Sequence, residues 1–197
     1  MRIDCFISPV SSYSYLASRA FPELVARHGA EVTYRPVDVA GLFARTGGKL
    51  VAERHPSRQE YRQQDLRRRA ARLGLPMNLR PMFGAANPAP ANYAVIAAQK
   101  AGGGDLHGLV AGVLRAVWAE ERDISDLDVI AGLLSAHGFD PGVADRHMLA
   151  AAETYAANLE EAVGRGVFGL PFYIVGEERF WGQDRLEDLD QFLAGKL

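Results

Sequence analysis

Ser11 and Ser12 stand side by side in the segment SPVSSYSYLAS, where an apolar run gives way to a helical pattern. Hydroxyls at a helix start serve two purposes: they cap unpaired backbone N–H groups, and together with those groups they hold an anion or a thiolate without a charged side chain. Either serine can cap while the other faces a cleft. A serine nucleophile is the competing chemistry, and it needs a base. The chain has no G-x-S-x-G elbow, and no spacing places His28, His55, His107, His137 or His147 as that base. His28, His107 and His137 directly precede glycines, which suggests turns or helix ends facing solvent. No H-x-x-x-H or H-E-x-x-H spacing points to a metal. The single cysteine, Cys5, cannot form a disulfide within the chain or a CxxC pair and reads as a small buried hydrophobe.

A second chemical signal lies near the other end, in GVFGLPFYIVG. Pro171 opens what otherwise reads as a central strand, although proline has no ladder donor. A tight or cis Leu170–Pro171 bond would expose the Leu170 amide and carbonyl to a peptide-like ligand. The alternative is that Pro171 merely breaks a preceding helix.

The elements that must position these residues follow from periodicity. RIDCFI reads as a buried strand. Tyr13, Leu16, Ala20, Leu24 and Val25 then recur at helical spacing up to the breaker Gly29. EVTYRPVDV reads as a second strand, with Pro36 favouring an edge or an early end. Helical patterns fill the middle: SRQEYRQQDLRRRAARLG, which is heavily basic, then APANYAVIAAQKAG, DLHGLVAGVLRAVWAEE, SDLDVIAGLLSAHG and AETYAANLEEAVGRG. Ser125, with Asp128 three residues on, resembles an N-terminal cap. LPFYIV and RFWG flank a GEE turn as a hairpin, and a last helix begins at DRLEDLDQFLAG, with Asp184 and Glu187 as a capping box. The first unit and the hairpin cannot bury a sheet separately. The expected fold is therefore α/β, with one mixed sheet built from residues 1–40 and 165–197 and an all-helical insertion over 41–164.

Composition sets the outer bounds. With 197 residues, 48% hydrophobic and 23% charged, the chain has material for a sizeable core. Its formal net charge of -2 gives no general attraction to nucleic acid. No apolar run is long enough to span a membrane, and the first residues lack a signal-peptide pattern, so the expected location is the cytoplasm.

Taken together, PVSSYSYLAS, YRQQDLRRRAARLGLP, VWAEERDISD and GVFGLPFYIVGEERFWGQDRL resemble the 2-hydroxychromene-2-carboxylate isomerase family. That family is related to kappa-class glutathione transferases and DsbA oxidoreductases within the thioredoxin fold. The resemblance implies a thioredoxin-like sheet, glutathione as cofactor and a homodimer. It places Ser11 at the thiolate as the catalytic hydroxyl, with Ser12 standing where the family carries proline. It sets Leu170 and Pro171 against the cysteinyl part of glutathione, and Asp184 and Arg185 of GQDR at its γ-glutamyl end. Arg58 takes the place of a lysine that contacts the glycyl carboxylate in related enzymes, while an upstream asparagine has no clear equivalent near Gly47 to Lys49. Disulfide exchange is not expected, because Ser11 and Ser14 occupy both possible thiol positions.

The implied reaction is reversible thiol addition to the alkene of 2-hydroxychromene-2-carboxylate or a related aromatic acid, followed by rotation and expulsion of the thiol. Arg58, Arg62, Arg67 and Arg68 are candidates for the substrate carboxylate. Tyr13, Tyr15, Trp118 and Trp181 are candidates for an aromatic wall. A general glutathione transferase and a noncatalytic glutathione-binding protein are the alternative readings.

Overall fold

The computed structural model describes residues 1–197. β1 (Arg2–Ile7) occupies a central position in a four-stranded sheet of order β2-β1-β3-β4, with β2 (Glu31–Pro36) parallel to it and β3 (Phe172–Val175) antiparallel. β4 (Glu178–Trp181) closes the opposite edge as a hairpin partner of β3. This is a mixed sheet of thioredoxin type, flanked by helices that fall mostly between β2 and β3.

Strand periodicity of two decides which core each side chain enters. Ile3, Cys5 and Ile7 of β1 and Tyr173 and Val175 of β3 join a cluster of 31 buried residues on one face. Phe6, Phe172 and Ile174 point to the other face, into a cluster of 8 that includes Val37, Leu42 and Ala162. The larger cluster also contains Leu109 and Val113 of α6 (Leu106–Trp118), Leu134 of α7 (Leu127–Ala136) and Val95 of α5 (Ala89–Ala101). The middle helices thus share the core of the sheet.

Several local expectations need correction. The helix following β1 is two helices, α1 (Ser12–Ala17) and α2 (Ala20–His28). Pro22 has no N–H to offer the carbonyl of Ser18, so a continuous ladder cannot form there. β2 is an edge strand that ends at Pro36, as that proline favoured, but the Asp38 side chain then accepts from the amide of Ala40 and starts α3 (Val39–Thr46), which periodicity does not reveal. A further short helix, α8 (Val143–Arg146), was also not foreseen. Ser125 does not cap α7. Its amide and hydroxyl both donate to Asp123, and the carboxylate of Asp126 takes the cap. The last helix, α10, spans Leu186–Leu193 without a side-chain cap, since Asp184 sits in a preceding 3-10 turn (Gln183–Arg185) with its carboxylate turned to arginines.

One ion network ties the sheet to the end of the helical run. Asp4 accepts from Arg35 of β2 at 2.9 Å and from Arg165 at 2.7 Å, and Glu161 of α9 (Met148–Gly164) pairs with Arg35 at 2.7 Å and with Arg165 at 3.0 Å. Burial alone would raise the pKa of Asp4, but the bonds from Arg165 and Arg35 outweigh it and hold the carboxyl below its ordinary value. A depressed carboxyl contributes stability above its unfolded pKa and loses that contribution as pH falls through the folded value. Asp4→Asn is therefore expected to cost about 1–2 kcal/mol at neutral pH, because Glu161 remains to pair both arginines. Urea melts of both proteins should begin to converge below about pH 4 and meet only once the pH has fallen past the lowered folded value. A deficit of the same size at pH 7 and pH 3 would contradict the assignment.

Candidate active site

The chain leaves β1 through a turn in which the Ser11 amide donates to Ser8 O at 3.0 Å, and α1 begins at Ser12. Ser11 is the N-cap: its Oγ accepts from the amide of Ser14 at 3.2 Å. The same hydroxyl donates to the carbonyl of Leu170 at 3.2 Å, 159 residues away. Sequence left open which serine caps and which faces the cleft. In the structure Ser11 does both, and Ser12 is 2% exposed with its Oγ accepting from Arg62 at 2.7 Å.

Leu170 precedes a cis peptide bond to Pro171. α9 ends at Gly164, well before it, so Pro171 is not a helix breaker. The carbonyl of Pro171 accepts from the amide of Gly182, the carbonyl of Leu170 is held by Ser11, and the amide of Leu170 has no acceptor in the chain. Gly169 packs against the indole of Trp181, where a Cβ would come within 2.4 Å of Nε1. At Gly182 a φ of 105° admits only glycine comfortably and turns the chain from β4 into the 3-10 turn that carries Asp184 and Arg185.

These segments enclose a cavity of about 920 Å³. Ser11, Ser12, Arg58, Leu170, Asp184 and Arg185 all line it, while Pro171 lies behind, against Cys5, Ser14 and Tyr173. Among the arginines considered for a substrate carboxylate, Arg58 and Arg62 reach the cavity. Arg67 and Arg68 do not, and Arg68 instead lies over the Tyr61 ring at 5.6 Å. Lys49, Arg54 and Arg69 also line the cavity and were not expected. Arg54 and Lys49 precede α4 (Pro56–Leu73) in a segment without periodicity, so no pattern marked them.

The aromatic wall is also redistributed. Tyr13 and Trp181 line the cavity, whereas Trp118 is buried with its Nε1 donating to Pro9 O at 2.9 Å, and Tyr15 is buried with its hydroxyl on Pro76 O. Phe43 of α3 and Phe168 take their places. Phe168 and Trp181 pack edge to face at 4.7 Å yet remain 45% and 52% exposed, which leaves an apolar surface open beside the polar seat.

Charge in the cavity is unevenly matched. The Tyr13 hydroxyl donates to Asp65, whose carboxylate also takes Arg69 at 2.8 Å, and burial followed by the Asp65 charge raises the pKa of Tyr13. Asp184 is shared by Arg69 at 3.5 Å and Arg185 at 4.0 Å. Arg54 donates to the carbonyl of Lys49, and Arg58 has no partner in the chain. The cavity therefore holds a surplus of positive charge facing a hydroxyl seat, an open amide and an aromatic wall. Such a site suits a flexible peptide-like anion together with an aromatic acid.

A family model described as a DSBA-like thioredoxin domain matches residues 2–194. The chain belongs to this family. Its single cysteine is Cys5, 1% exposed in β1, with a thiol that burial pushes well above its ordinary pKa. The domain is homologous to proteins named 2-hydroxychromene-2-carboxylate isomerase. It is 29% identical to that of Sphingobium xenophagum over 195 residues, 97% of each chain. It is likewise 29% identical to that of Pseudomonas putida over 210 residues, covering 98% of this chain and 95% of that protein. A solved structure of a 2-hydroxychromene-2-carboxylate isomerase superposes with a TM-score of 0.83 at 26% identity, covering 99% of this chain and 95% of that one. No helix of the domain is long and apolar enough to cross a membrane.

Proposed function

We propose that the protein is a glutathione-dependent cis–trans isomerase acting on 2-hydroxychromene-2-carboxylate or a closely related aromatic unsaturated acid. The observation that carries this reading is the meeting of Ser11 and Leu170 in one cavity, a capping hydroxyl bonded to the carbonyl of a residue whose own amide is open. The residues fit glutathione as a donor and acceptor set. Asp184 offers a carboxylate to the ammonium and Arg185 a guanidinium to the carboxylate of the γ-glutamyl end. The Leu170 amide offers a peptide hydrogen bond, and Arg58 offers an unpaired cation to the glycyl carboxylate.

When bound, glutathione supplies a thiolate that adds reversibly to an electron-poor alkene, so that the former double bond can rotate before the thiol leaves. The protein's part is to bind, orient and tune. Ser11 exchanges its bond to the Leu170 carbonyl for one to sulfur, and the amides of Ser12 and Tyr13 at the start of α1, which have no acceptor in the chain, lie next to it. Phe168, Trp181 and Phe43 face the aromatic ring, and the surplus arginines face the substrate carboxylate. This reading places the protein in the cytoplasm, where reduced glutathione is abundant, and the family resemblance extends it to a homodimer.

Calorimetric titration tests the cofactor. Glutathione should bind saturably to the wild type, and Asp184→Asn should weaken it about tenfold, a modest factor because Asp184 is partly exposed and screened. Absence of binding, or binding indifferent to Asp184, would remove glutathione from the account.

A further inference from the structure

Arg62 differs from every other cation of the cavity. Arg69 and Arg185 are matched to carboxylates, Arg54 is held by a backbone carbonyl, and the unpaired Lys49 and Arg58 are exposed to water. Arg62 is half-buried, pairs with no carboxylate, and makes its only side-chain hydrogen bond to Ser12 Oγ at 2.7 Å. Burial lowers its pKa, the nearby Tyr13 hydroxyl works against that, and the neighbouring charge of Arg54 pushes the same way as burial. A guanidinium carries five N–H donors, and one of them is used here. Keeping such a group partly out of water without a counter-ion is unfavourable unless a ligand supplies the missing anion.

Ser12 is the residue next to the Ser11 seat, and its Cα is about 3.8 Å from that of Ser11. The charge that Ser12 holds therefore lies beside the residue that adjoins the seat. The remaining charges that line the cavity do not cancel it: Asp65 is matched by Arg69 and Asp184 by Arg69 and Arg185, Glu53 is a single exposed carboxylate that accepts from the Leu50 amide, and Lys49, Arg54 and Arg58 carry the same sign as Arg62.

We propose that Ser12 and Arg62 form a coupled pair, in which Ser12 fixes the Arg62 guanidinium beside the thiolate seat and Arg62 supplies the positive charge that keeps the bound thiol ionised. The pair rests on the glutathione reading above and adds to it. Ser12 is a positioning residue, since it acts through Arg62, whose long side chain would otherwise swing into solvent. At an effective dielectric near 20, a unit charge roughly 7–10 Å away shifts a thiol pKa by about one to two units.

The test is a thiolate-absorbance titration of glutathione bound to the wild type, Arg62→Gln, Arg62→Lys and Ser12→Ala. Arg62→Gln is expected to raise the thiol pKa by about one to two units, Arg62→Lys to restore most of the difference, and Ser12→Ala to raise it by part of that amount although Arg62 is still present. A wild-type complex that fails to form overturns both the pair and the reading on which it rests. A complex that forms with a thiol pKa indifferent to Arg62 overturns the pair alone, including the case where only the KM for the aromatic acid changes and Arg62 serves the substrate carboxylate. Should Arg62→Gln fold poorly by circular dichroism, Ser12→Ala and Arg62→Lys decide the same question: wild-type pKa values in Ser12→Ala would contradict the coupling.

Discussion

Ser11→Ala is expected to raise the pKa of the bound thiol by about one to two units and to slow thiol addition at neutral pH by roughly ten- to a hundredfold. A hydrogen bond to an ionised sulfur is worth about 1.5–3 kcal/mol, and each 1.36 kcal/mol is a pKa unit or a power of ten. The change must exceed that of Ser12→Ala, because the Ser11 hydroxyl can be freed from the Leu170 carbonyl to meet the sulfur, whereas the Ser12 Oγ holds Arg62. It also removes the N-cap of α1, so a loss of about 1 kcal/mol in stability should accompany it. Thiolate absorbance and denaturant melts separate the two effects. If the thiol pKa stays at its wild-type value while stability falls, Ser11 is only a cap.

The second large effect is structural and acts on the site from behind. Leu189 is fully buried in α10, within the cluster that includes Leu24 of α2 and Phe180 of β4. Leu189→Ala should cost about 3 kcal/mol, from lost burial and the cavity left behind. α10 follows directly on the turn holding Asp184 and Arg185. Loosening this helix should therefore weaken glutathione binding in step with local opening, although no residue of the cavity is altered. Hydrogen exchange should report faster opening of residues 186–193 than of β1. Equal protection of both segments would mean that α10 does not open separately.

The parts of the account legible in sequence were those with strong local patterns. The apolar runs of β1 and β3, the Pro171 interruption and the stripes of α6 and α7 carried enough periodicity to give the mixed sheet and its helices. The hydroxyls at the strand-to-helix junction were visible in the sequence, and the resemblance joined Ser11, Leu170, Asp184 and Arg185, which the fold brings to one cavity. What was illegible depended on competition or on distance. Asp126 took a cap that Ser125 also suited, and nothing local ranks the two, while Asp38 opens a helix of only eight residues directly after a strand pattern. Asp184 gave up a helix cap for Arg69, a partner 115 residues away. Trp118 and Trp181 carry the same side chain, and only the packing of α6 against the β1–α1 turn buries the first and leaves the second open. The bond from Arg62 to Ser12 joins two helices across 50 residues, so the serine pair could not disclose its second partner.

The central claim is catalysis by reversible thiol addition, and a single assay with two readings tests it. The purified protein is mixed with 2-hydroxychromene-2-carboxylate, with and without glutathione, while absorbance follows the conversion to the trans-benzylidenepyruvate form and aliquots are titrated for free thiol. The account predicts isomerisation only when glutathione is present, with total thiol constant throughout. A stable conjugate with matching loss of thiol, or no spectral change although glutathione is bound, would contradict it.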